Sequence, residues 1–145
     1  MFDLNELKRF IGSESGVRRL LPVSADDVAQ AELELGFPLP STLKDFYSQI
    51  GYGWLGSESR VDVRNLIVHP LDLVDLYKGE SEFSPPEGFL AGDLPVFDCG
   101  GFRFLVMRPD SGSQEVYRDD GGTLVIAEDF IAFVEKLIND PLFYE

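Results

Sequence analysis

VAQAELELGFPLPSTLKDFYSQIGYG, from Val28 to Gly53, is the stretch that decides the fold. Its first part reads as a helix: Val28, Ala31 and Leu35 mark an inward stripe at helical spacing, with Glu32 at its edge. Gly36 stops that helix, because a residue without a Cβ enters the left-handed region freely. Pro38 and Pro40 then forbid a continuous helix and fix an extended link. Ser41 is expected to cap the next helix, where Leu43, Phe46, Tyr47 and Ile50 share a face and Gly51 marks the end. Gly36 and Gly51 both suit left-handed positions at helix ends.

Toward the N-terminus, Ser24 caps the helix of Val28, with Asp26 and Asp27 in the first turn, where the helix dipole favours negative charge. Residues 13–22 read as a polar and basic connector. Before it, Asp3 and Glu6 open a short helix whose Leu4, Leu7, Phe10 and Ile11 share a face and which Gly12 ends. Toward the C-terminus the pattern turns to β. Val61, Val63, Ile67 and Val68 mark strand-like pieces, and Pro70 opens a helix with Leu71, Val74 and Leu76 or Tyr77 inward. Residues 79–93 form a long loop bearing Glu, Gly and Pro.

Strands are then expected at 94–98, 102–107, 115–118 and 123–126, separated by turns at 98–101, 109–112 and 119–122. On the second of these strands Phe102, Phe104 and Val106 should face one side. A last helix over 128–139 turns Phe130, Phe133, Val134 and Leu137 inward. Helices before a sheet and one after it make an α+β chain, not an alternating one. Its 145 residues, 44% hydrophobic and with 12 Phe, suit one domain spanning 1–145.

Two blocks carry a family resemblance. The first is Val28–Gly53: a Glu-bearing helix, a Leu-Gly-x-x-Leu-Pro break, a helix with Phe-Tyr and a closing Gly-x-Gly. The second is LPVFDCGGFRFLVMRPDSGSQEVYRDDGGTLVIAEDFIAFVEKL, Leu94–Leu137. Together they resemble the SUKH superfamily, which includes bacterial toxin-immunity proteins and fungal cell-wall-assembly regulators. The resemblance implies a mixed, largely antiparallel sheet packed by N-terminal helices and a C-terminal helix. It also implies a non-enzymatic protein-binding role, often immunity to a toxin, which is frequently a nuclease. Residues 13–22, 54–66 and 79–93 match poorly and are where partner choice would lie.

Charge points the same way. With 26 Asp+Glu against 12 Lys+Arg, the net charge is −14. Such a surface repels phosphate backbones and anionic headgroups and draws in a basic protein, so direct nucleic-acid or membrane binding is not expected. The opening MFDLNELKRF has no long apolar stretch, so no signal peptide is read there and a cytoplasmic protein is expected. Cys99 is the single cysteine and His69 the single histidine. Neither sits in a cluster that a metal site or triad would need, and the Gly-rich stretches lack the lysine of a phosphate loop. No cofactor, metal or catalytic residue is expected.

Affinity would come from aromatics and steering from acids. The partner-binding candidates are Tyr52 and Trp54, in what reads as a Gly-rich loop, Glu80, Glu82 and Phe83 in the long loop, and Asp119 and Asp120 at a turn tip. A basic toxin is the partner favoured on these grounds. A small-molecule-binding domain or a regulatory scaffold module in a homo-oligomer is the alternative, and the oligomeric state stays open.

Overall fold

A computed structural model describes residues 3–13, 16–56, 63–85, 89, 92–109, 112–118 and 124–145. Among these residues seven strands form one sheet: β1 (Arg18–Leu21), β2 (Tyr52–Leu55), β3 (Leu66–Ile67), β4 (Leu94–Gly100), β5 (Arg103–Met107), β6 (Val116–Arg118) and β7 (Val125–Ala127). Each pairs antiparallel with its successor, so the spatial order is the chain order. A lone parallel bridge joins Ile11 to Leu20. The helices are α1 (Ala25–Leu35), α2 (Ser41–Gln49), α3 (Pro70–Lys78) and α4 (Phe130–Asn139), preceded by a 3-10 helix at Leu4–Phe10. α1 packs on α3, and α2 on α4. The expected single α+β domain with a largely antiparallel sheet is what forms.

Residues directly opposite in antiparallel strands share a face. The register therefore lays Leu20, Gly53, Ile67, Phe97 and Leu105 in one row across β1 to β5. α4 and the C-terminal turn cover this face. The Phe97 ring lies 5.0 Å from Phe133 and 6.0 Å from Tyr144, and Phe130 meets Phe46 of α2 at 5.4 Å. These edge-on aromatic contacts fill the core. Tyr47 is buried with them; its hydroxyl donates to the Val68 carbonyl at 2.6 Å, and burial pushes its pKa up.

Local signals set most helix ends. Ser24 caps α1 through its Oγ, which accepts from the Asp27 N–H, and Gly36 closes it with φ +83°. Asp129 caps α4 by accepting from the Ala132 N–H. At other points the structure corrects the sequence reading. Pro40, not Ser41, occupies the position before α2 and makes no side-chain cap; Gln114 Oε1 reaches across instead and accepts from the Thr42 N–H at 3.0 Å. The connector over 13–22 contains edge strand β1. The supposed loop at Tyr52 and Trp54 is strand β2. The expected first helix forms and is of the 3-10 type. β4 runs on through Gly100, and Phe102 is in the turn at φ +63°, not on strand β5. All of Phe104 to Met107 is buried, on both faces.

Gly51 is needed for a different reason from Gly36. Its φ is +127°, outside the helical left-handed region, and a Cβ there would collide with the Leu21 carbonyl oxygen of β1. It marks a close approach of two backbones. Val61 and the turn at 119–122 fall outside the described residues.

Candidate functional site

The opposite face of the sheet carries another kind of row: Arg19, Trp54, Leu66, Asp98 and Phe104 across β1 to β5. Apolar, charged and aromatic side chains alternate here, and the segment after α3 lies against its middle. Gly79, with φ +73°, ends α3, and the Glu80 N–H returns to the Asp75 carbonyl at 2.8 Å. Ser81 Oγ then accepts from the Phe83 N–H at 3.1 Å, while the Ser84 N–H closes a turn on the Ser81 carbonyl. This tight turn presents Phe83 at 45% exposure.

Arg64 and Asp98 meet that ring. The Arg64 guanidinium is 4.9 Å from the Phe83 centroid, and its Nε is 2.9 Å from Asp98 Oδ2. The Nε–H is not aligned on an acceptor, so stacking and Coulomb attraction hold the group, not a directed hydrogen bond. Asp98 Oδ1 accepts from the Gly100 N–H at 2.8 Å. Burial pushes the Asp98 pKa up, opposed by that N–H and by Arg64.

The backbone under Arg64 is fixed on both sides. Its N–H donates to the Cys99 carbonyl at 3.0 Å, and the Leu55 N–H donates to the Asn65 carbonyl at 2.8 Å. Asn65 has φ +44° and is fully buried. It donates to the Pro141 carbonyl at 2.9 Å and accepts a short hydrogen bond from the Tyr144 hydroxyl.

These residues line a cleft of about 200 Å³, with Leu66, Val68 and Leu76 as its apolar floor and Asp72, Asp75, Glu82 and Asp98 as its charges against Arg64. A neighbouring hollow of about 390 Å³ shares Arg64, Phe83 and Asp98 and runs on to Gly100, Phe102 and Phe104. The Arg64–Phe83–Asp98 group is thus the wall between the two. An apolar floor, one exposed ring and a surplus of carboxylates suit the stem and head of a basic side chain.

Arginine on an aromatic ring recurs on this face. Arg19 lies over Trp54 at 4.8 Å. Arg108 lies over Tyr117 at 4.3 Å, with its Nε 3.0 Å from Asp93, a carboxyl whose pKa burial also raises.

Of the sequence candidates, Glu82 and Phe83 line the cleft and Glu80 is exposed just before it. Trp54 shares the face but is half-covered by Arg19. Tyr52 turns its ring edge to His69 at 4.7 Å. Asp119 and Asp120 lie outside the described residues. Sequence reasoning missed Arg64, Asp72, Asp75 and Asp98. Asp72 and Asp75 had a local signal, since spacing of three on α3 puts them on one side. Arg64 and Asp98 had none.

His69 and Cys99 have structural positions. His69 Nδ1 accepts from the Leu71 N–H at 3.1 Å and so caps α3, and its Nε2 lies 3.3 Å from Asp27 of α1. Cys99 is buried, and desolvation pushes its thiol up to about 12, far from a reactive thiolate. Among the described residues no group of His, Cys, Asp and Glu is arranged to hold a metal ion. No helix there is long and apolar enough to cross a membrane.

Residues 22–136 match the model of the SMI1 / KNR4 family (SUKH-1), so the chain belongs to that family. No curated protein and no solved structure matches it.

Proposed function

We propose that this member of the SMI1 / KNR4 family is a non-enzymatic immunity protein of the cytoplasm, which binds and neutralises a basic toxin, a nuclease being the class its charge suits best. The family is known in immunity and regulator roles. The observation that carries the choice is the cleft beside Phe83, where four carboxylates face a single arginine around an exposed ring. A net charge of −14 would steer a cationic partner toward it. Glu80, Glu82 and Phe83 are the contact residues on this reading, with Trp54 and Tyr52 on the flanking strand and Asp119 and Asp120 as steering charges.

The test is co-expression with the product of the adjacent upstream gene, scoring survival and then complex formation by size exclusion. Rescue with a stable complex is expected. Glu82→Lys and Phe83→Ala should each weaken that complex by about tenfold or more, the scale of an interface hot spot. A toxic neighbour that is not neutralised, or a complex indifferent to both changes, would remove this reading.

A further inference from the structure

One corner of this acidic molecule is basic. Lys8 and Arg9 end the 3-10 helix, and Arg18 and Arg19 begin edge strand β1, which the Ile11–Leu20 bridge holds beside it. Four of the chain's 12 Lys+Arg are gathered there. Among the described residues none of the four forms an ion pair, whereas Lys44, Arg64 and Arg108 each have a carboxylate partner.

The three arginines are nevertheless held in place. The guanidinium carbons of Arg9 and Arg18 lie 4.8 Å and 5.6 Å from the centroid of one ring, Phe10, and that of Arg19 lies 4.8 Å from Trp54. Stacking restrains a guanidinium while leaving its edge N–H donors for a planar acceptor.

We propose that this corner is a second interaction surface, which recognises adjacent Asp or Glu side chains on a protein partner. Carboxylates match the arginine edge in bidentate fashion. A short acidic segment fits better than a nucleic acid, since a long polyanion would extend beyond the corner and meet the field of a chain carrying −14. Arg19 lies on the same sheet face as the cleft beside Phe83, and Arg18, its neighbour on the strand, lies on the other, so the acidic segment would straddle the edge of β1 and one protein presents two opposite charge preferences.

Trp54 is the only tryptophan and lies directly under Arg19, so its fluorescence reports on the corner. The probe is a capped oligoglutamate peptide titrated at low salt, with oligolysine, inorganic phosphate and a short single-stranded DNA as controls. A saturable change in Trp54 emission is expected with oligoglutamate alone. It should be weakened about tenfold, or ~1.4 kcal/mol, in the Arg18→Gln/Arg19→Gln double variant. Arg9→Gln, on an exposed side chain, serves if the double variant does not fold, and should weaken binding in the same direction. Glu82→Lys and Phe83→Ala should leave this signal unchanged, which keeps the result separate from the toxin test. No saturable response, undiminished binding in the arginine variants, or an equal response to phosphate or DNA would overturn the assignment.

Discussion

The two faces of the sheet are built from the same strands and differ at every other residue. On one, Leu20, Ile67, Phe97 and Leu105 meet the rings of α4 and the C-terminal turn, and the contacts are apolar. On the other, Arg19, Trp54, Asp98 and Phe104 alternate charge with aromatic surface, and three arginines lie on three rings. The row on the first face is buried throughout, and the second face also buries Phe104 and Val106 but leaves its middle to the cleft. The second tolerates charge because each guanidinium has a ring beside it and two have a carboxylate. A single pleat thus separates cohesion from recognition.

The largest test of that division is Phe97→Ala. Removing a fully buried ring packed on Phe133 and Tyr144 should cost ~3–5 kcal/mol by urea denaturation. A loss under about 1 kcal/mol there would mean that the covered face is not the source of stability. A smaller effect is expected at His69, whose cap holds the start of α3 and, through it, the cleft acids Asp72 and Asp75. His69→Ala should cost about 1 kcal/mol, and His69→Asn, which can still cap, should recover most of it.

The smallest effect concerns pH and Asp98. Its folded pKa is raised above the unfolded value, so the folded state holds this proton more tightly. The contribution to stability is present below the unfolded carboxylate pKa and is lost as pH rises through the higher folded one. Asp98→Asn should therefore flatten the fall in urea midpoint over that window, and an unchanged slope would show that Asp98 is not its source.

Much of the helical frame was legible in the sequence because its signals are local. Ser24, Gly36, Pro70 and the Phe130–Phe133–Leu137 spacing each mark a helix without reference to the rest of the chain. The site was harder to read. Phe83 and Glu82 stood out by being an aromatic and an acid in a loop, but the cleft they border needs Arg64 against Asp98, 34 residues further along the chain. That meeting is set by the register of Leu66 opposite Asp98, which no periodicity in either segment records. β1 was missed because Arg18–Leu21 is short and its arginines read as connector. Tyr52 and Trp54 were placed in a loop because Gly51 and Gly53 look like turn residues, when Gly51 is there to let β1 and β2 approach.

The order of the sheet, in which every strand lies beside its successor, has a consequence for biosynthesis. Each pairing is complete as soon as the next strand leaves the ribosome, so the sheet can grow in the direction of translation without waiting for distant chain. α4 and Tyr144 emerge after all seven strands. Their arrival covers Phe97 and latches Asn65, sealing one side of a sheet whose strands are already paired.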